Sequence, residues 1–186
     1  MTDRDDDLPD EEFAALLDDA RRGSGAALDT LVRSVDRRLV GFLGARGAED
    51  PPGLANEVLV SMCRSVEGFE GNQRQFRAWV FQIARNRLID EHRRSRRRVT
   101  ERAEEPETLS RLGGSVELGG DLEARDRVER LLANLTEEQR EVVVLRVIAG
   151  LSVEEVAEVV GRRAGAVRAL QHRALRHLRA VLVEEA

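Results

Sequence analysis

Residues 135–178, LTEEQREVVVLRVIAGLSVEEVAEVVGRRAGAVRALQHRALRHL, decide the fold class. Thr136 with Gln139, and Ser152 with Glu155, fit the capping-box pattern, in which two side chains satisfy free N–H groups at a helix start. Gly150 stands where a helix would end in a left-handed residue, and Gly161 occupies the turn before the last helix. The punctuation predicts helices near 121–133, at 137–149, at 153–160 and at about 165–182. A short helix, a glycine turn and a longer basic helix describe a helix-turn-helix.

The last helix keeps Val167, Leu170, Ala174, Leu178 and Val181 on one face. Its other faces carry charge, with six Arg and no acid between Arg162 and Arg179. The N-terminal part of such a helix enters the major groove, so Arg168, Gln171 and His172 are candidates for base edges. Arg162, Arg163 and Arg173 are better placed for phosphates, which position without reading sequence.

Upstream lies a second basic feature, FRAWVFQIARNRLIDEHRRSRRR at 76–98. From Arg77 to Arg98 there are eight Arg against Asp90 and Glu91, in a chain whose net charge is −5. Such a cluster requires a polyanionic partner or an acidic cover. The segments before it read as helices throughout. Phe13, Leu16, Leu17 and Ala20 form one stripe, and Leu28, Leu31, Val32, Val35, Leu39 and Phe42 another after the Gly23–Gly25 break. Leu54, Val58, Leu59 and Met62 begin a third helix after Pro51-Pro52-Gly53. Residues 67–75, EGFEGNQRQ, read as a polar loop leading into a helix at Phe76. No segment shows the sustained alternation of a strand, so the chain is expected to be all-α.

Charge blocks set the predicted organisation. Residues 1–19 hold nine acids and one Arg, and 99–126 hold eight acids and three Arg along with Pro106 and two Gly-Gly pairs. The expectation is an acidic disordered tail at 1–8, a helical module at 9–98, a flexible acidic linker at 99–120 and a second helical module at 121–183. With 3% aromatic residues the cores should be aliphatic. No apolar run is long enough for a transmembrane helix, and the acidic start MTDRDDDLPDEE lacks the features of a secretory signal. The lone Cys63 offers neither a disulfide framework nor a Cys-based zinc site. A cytoplasmic, reducing setting is expected. All 30 basic residues are Arg, a bias that GC-rich coding explains as well as selection does.

These residues resemble a family. The run at 135–178 is similar to region 4 of the extracytoplasmic-function (ECF) sigma factors of the sigma-70 family. The run EGFEGNQRQFRAWVFQIARNRLIDEHRRSRRR resembles their regions 2.3 and 2.4, and EDPPGLANEVLVSMCRSVEGF their region 2.2. The resemblance spans almost the whole chain apart from tail and linker. It implies that the first module binds the β′ clamp of core RNA polymerase through the 54–66 helix, with Asn56 and Glu57 as contacts, and reads and opens the promoter −10 element. It implies that the second module reads the −35 element as duplex beside the β flap. An anti-sigma factor as regulator is a further expectation, without direct membrane insertion of this chain. Chemistry would belong to the polymerase, so no catalytic residue, cofactor or metal is expected.

Opening DNA requires capture of unstacked bases while cations hold the backbone. In the family the 70–74 loop selects a flipped base, which makes Asn72 and Gln73 candidates, with Arg74 beside them. Arg77, Arg85, Asn86, Arg93 and Arg94 would line the adjoining helix. Trp79 would either stack on DNA at the fork or pack in the core beside Phe76, Val80 and Ile83. Relatives commonly carry Ser or Thr where this chain has Arg163 and Ala166, so a hydroxyl cap worth about 1 kcal/mol is missing from the last helix. Two other readings are an ordinary dimeric helix-turn-helix regulator and a helical protein of RNA metabolism. Neither gives a reason for a second arginine-rich helix preceded by a polar loop.

Overall fold

A computed structural model describes residues 8–102 and 122–184. The first helix, α1 (Asp10–Arg21), starts after the extended Pro9, whose carbonyl accepts the Phe13 N–H at 2.9 Å. Three acids in its first turn and Arg21 in its last complement the helix dipole. Ser24 caps α2 (Gly25–Ala45), and Asp50 caps α3 (Pro51–Ser65), which has Pro at its first positions where a missing N–H costs nothing. A single 3-10 turn, Val66–Gly68, leads to α4 (Gln73–Arg102), a helix of 30 residues and about 45 Å.

The start of α4 corrects the sequence reading. Gln73–Gln75 were expected in the loop, with the helix beginning at Phe76. Instead Asn72 Oδ1 accepts the Gln75 N–H at 3.0 Å, and Gln75 Oε1 accepts the Asn72 N–H at 2.9 Å. This reciprocal pair is a capping box one turn earlier than expected. Gly71, at φ +151°, makes room for it, because a Cβ there would lie 2.7 Å from Gln75 Oε1 and 3.0 Å from the Phe69 ring. The far end of α4 also runs to Arg102, four residues past the expected end of the first module at 98 and into the expected linker. The rest of that linker, and residues 1–7 of the tail, lie outside the described residues.

The second module comprises α5 (Leu122–Ala133), α6 (Glu137–Val147), α7 (Val153–Val160) and α8 (Ala164–Glu184). Both capping boxes foreseen from the sequence are formed, at Thr136/Gln139 and Ser152/Glu155. Gly161 closes α7 in the left-handed region at φ 67°, ψ 36°, which no side chain adopts without strain. Gly150 also has positive φ, but it lies in the turn beyond Ile148, the cap of α6.

Every described element is a helix, and α4 is the axis of the molecule. One side packs on α2 and α3; another carries α7, while α6 touches α2. Phe76, Val80, Phe81, Ala84 and Leu88 of α4 are buried in a core that runs without a break into Val142–Leu145, Leu151, Val156, Val159 and Val167. The two modules are therefore packed together rather than strung apart.

Candidate nucleic-acid interface

The faces of α4 sort the expected −10 residues into two groups. Asn72, Arg74, Asn86, Arg93 and Arg94 are exposed. Gln73 and Arg77 are buried, at 7% exposure each, and Arg85 is half-buried. Arg77 and Arg85 lie eight residues apart, close to two turns, so they point to one side of the helix. That side faces the second module. Arg85 Nε donates to Glu141 Oε1 at 2.9 Å, and Arg77 Nη2 stands 4.0 Å from Glu155 Oε1.

Glu155 performs two tasks from one carboxylate. Its Oε2 accepts the Ser152 N–H in the α7 capping box, while its buried Oε1 is turned to Arg77. Arg46, at the end of α2, adds to the seam. It is buried, donates to Glu137 Oε1 at 2.8 Å and lies 3.7 Å from Glu141. Partial burial pushes the Glu137 carboxyl up, but the charge of Arg46 and its hydrogen bond outweigh that, and Glu137 ends below the usual carboxylate range. Arginines with acidic partners thus line both sides of a cleft of about 260 Å³ bordered by Arg46, Arg85, Glu137, Glu141 and Arg162.

The residues expected at the −35 element are disposed differently. Arg162 and Arg163 are exposed in the turn before α8, Arg168, His172 and Arg173 are exposed on its first turns, and Gln171 is half-buried. Two of them make local ion pairs, Arg168 with Glu154 at 2.6 Å and Arg162 with Glu138. Both pairs are solvent-exposed and contribute about 0–1 kcal/mol, so a phosphate or guanine can displace the carboxylates. Val167, Leu170 and Ala174 are buried and Leu178 is half-buried, so the expected apolar face of α8 is the one that packs.

Trp79 is half-buried and stacks on Phe69 with centroids 4.9 Å apart, inside an aromatic group that includes Phe76 and Phe13. Its ring is largely committed to packing. Asn56 and Glu57 are exposed on α3 together with Val60, and Glu57 lies 3.7 Å from Arg87 of α4. The arginine block that follows is tied to Glu49. Ser95 Oγ donates to Glu49 Oε1 at 2.6 Å and Arg98 reaches Glu49 Oε2 at 3.4 Å. Near it Glu91 is raised above the ordinary carboxylate range, first by desolvation and then by the neighbouring Glu49 and Asp50 charges.

Sequence reasoning missed the acidic residues that meet the arginines. Glu137, Glu141 and Glu155 read as first-turn and face residues of their own helices, and only the packing of α6 and α7 against the first module shows that they confront Arg46, Arg85 and Arg77. The Asn72–Gln75 spacing, in contrast, was available in the sequence. Among the described residues no group of three or more His, Cys, Asp or Glu side chains could hold a metal ion, and no helix is long and apolar enough to cross a membrane.

Two arginine-rich helices on separate helical modules, one of them in a helix-turn-helix, define an all-helical nucleic-acid-binding protein. Comparison with known proteins gives the family. Residues 28–98 match the model for Sigma-70 region 2, and residues 125–178 match that for Sigma-70, region 4. The chain is 33% identical over 180 residues to the ECF RNA polymerase sigma factor SigD of Mycobacterium tuberculosis, covering 93% of this chain and 85% of that protein. The structure of CnrH in complex with the cytosolic domain of CnrY is similar with a TM-score of 0.70 at 26% identity, over 94% of this chain and 99% of that one. The sigma factor RpoE of Bartonella quintana, solved with the anti-sigma factor NepR, shares the fold with a TM-score of 0.59 at 20% identity, over 92% and 94% of the two chains.

The chain belongs to the ECF RNA polymerase sigma factors of the sigma-70 family. Its function is that of a transcription-initiation factor which recognises promoters together with RNA polymerase, rather than that of a catalytic enzyme.

Proposed function

We propose that this sigma factor divides promoter recognition between the two arginine helices. In this reading residues 121–183 dock on duplex −35 DNA, with Arg168, Gln171 and His172 toward base edges and Arg162, Arg163 and Arg173 toward phosphates. Residues 9–98 bind the β′ clamp of core polymerase through Asn56 and Glu57 on α3, while the second module rests beside the β flap. The head of α4, with Asn72, Gln73 and Arg74, receives an unstacked base of the −10 element. Arg77, Arg85, Asn86, Arg93 and Arg94 hold the separated strands, and Trp79 braces the loop through Phe69 rather than stacking on the fork. The protein acts in the cytoplasm, where core polymerase is.

One observation carries the reading: α4 and α8 present separate arginine faces in one chain, and the face of α4 nearest its selecting loop is held by the second module. Arg77 and Arg85 cannot take up phosphates while Glu155 and Glu141 stand against them. Promoter engagement therefore begins with α7 leaving α4. An anti-sigma factor, as NepR is for RpoE, would hold the modules in their closed relation, and polymerase would hold them apart.

Transcription by core RNA polymerase, with and without the protein, on a promoter library tests this function. New start sites that depend on the protein are expected. Tight duplex binding by the protein alone, with no new start site, would leave an ordinary helix-turn-helix regulator.

A further inference from the structure

A second contact reaches the head of α4, and it comes from the N-terminus of the same chain. The Leu8 N–H donates to Gln73 Oε1 at 2.8 Å, across 65 positions of sequence. Leu8, Pro9 and Asp10 form one wall of a cavity of about 390 Å³, and Asn72, Gln73 and Arg74 form the other. The approach is built in. Phe13, one turn into α1, meets Phe76, one turn into α4, with ring centroids 5.7 Å apart, so the starts of the two helices are held together. Leu8 was expected in a disordered tail; its backbone is instead bound to the loop expected to select a base.

The chemistry of that hydrogen bond matters. A glutamine amide reads a base by offering a carbonyl acceptor and an NH₂ donor together. Here the carbonyl of a side chain that is itself 7% exposed is taken by the protein's own backbone. The neighbouring Asn72 carbonyl is already engaged in the cap of α4, accepting the Gln75 N–H. In the sequence Leu8 is preceded by Asp3, Arg4, Asp5, Asp6 and Asp7, and Arg74 borders the cavity that Leu8 lines.

We propose that the N-terminal segment, through the Leu8 N–H, competes with an exposed nucleobase for the Gln73 carbonyl, so that single-stranded DNA must displace it. This rests on the reading that the head of α4 receives an unstacked base. The segment raises the threshold for capturing an opened strand and leaves duplex binding by α8 untouched.

The test uses the full chain bound to core polymerase and two fluorescein-labelled probes, a short single strand of randomised sequence and the corresponding duplex. Leu8→Pro removes the donor while keeping every acid, and deletion of residues 1–8 removes both. Each is expected to tighten single-strand binding about 2- to 10-fold, the weight of one hydrogen bond, with duplex binding unchanged. Gln73→Ala is expected to erase sequence preference in the strands recovered from the pool. If Gln73→Ala erases that preference but neither N-terminal change alters single-strand affinity, the competition is wrong and the pocket stands. If none of the three has an effect, the pocket reading fails with it. If only the deletion acts, and acts equally on strand and duplex, the tail is a general charge screen and the proposal is overturned.

Discussion

The arginines of α4 and those in and just before α8 stand in opposite circumstances. In and just before α8 they stand in water, and the Arg162–Glu138 and Arg168–Glu154 pairs are exposed ones that a ligand exchanges at little cost. On α4 two of them, Arg77 and Arg85, are wholly or partly covered, and their partners belong to the other module. The lesson is that an arginine-rich helix is not by itself a DNA-ready surface. Readiness depends on what lies against it, and a buried guanidinium must have its partner replaced rather than merely removed.

The largest expected effect tests whether the modules share one core. Phe81 is fully buried on α4, and Phe81→Ala should cost about 3–5 kcal/mol in denaturant unfolding. If the core is continuous, probes in both modules should report one shifted transition. A shift confined to residues 9–98 would separate the modules energetically.

Glu141→Arg breaks the comparison more directly. It places a cation between Arg46 and Arg85, which now share that carboxylate. Loss of a partner for a buried charged group costs roughly 1–3 kcal/mol. The modules should move apart by fluorescence energy transfer between labels on α3 and α8, and α4 should then bind DNA as readily as α8 does. Unchanged transfer would show that apolar packing alone holds them.

Arg168→Ala probes the open side. If Arg168 reads a base, the change should cost roughly 1–3 kcal/mol and relax preference at one position. Equal loss on all sequences would assign it to a phosphate. The module contact should be left as it is, because the pair with Glu154 lies within the second module.

The smallest effect concerns pH. The folded Glu137 carboxyl lies below its ordinary value, so its pair with Arg46 favours the closed arrangement fully above the ordinary carboxylate pKa, about 4.3. That contribution fades as pH falls from there through the lowered value. Energy transfer should thus fall slightly in this acidic window in the native chain, and Glu137→Gln should remove that change.

Much of this was legible in the residues. The capping boxes at Thr136 and Ser152, the apolar face of α8 and the exposed arginines before it follow from local rules, because each involves residues three or four positions apart. The head of α4 was misplaced by one turn, since Asn72–Gln75 was read as loop chemistry when the same spacing is a cap. Gln73 illustrates the harder limit. Its amide suits a base, and nothing in its neighbourhood announces that Leu8, at the far end of the chain, would occupy it.

The sequence by itself determined the helices, their ends, the two arginine faces and the family, because those depend on short-range spacing and on side-chain chemistry. Only the tertiary structure decided which arginines are covered. Glu155 meets Arg77 because α7 packs on α4, and Glu141 meets Arg85 because α6 packs beside it against the first module; that docking is set by apolar surfaces more than fifty residues apart in the chain.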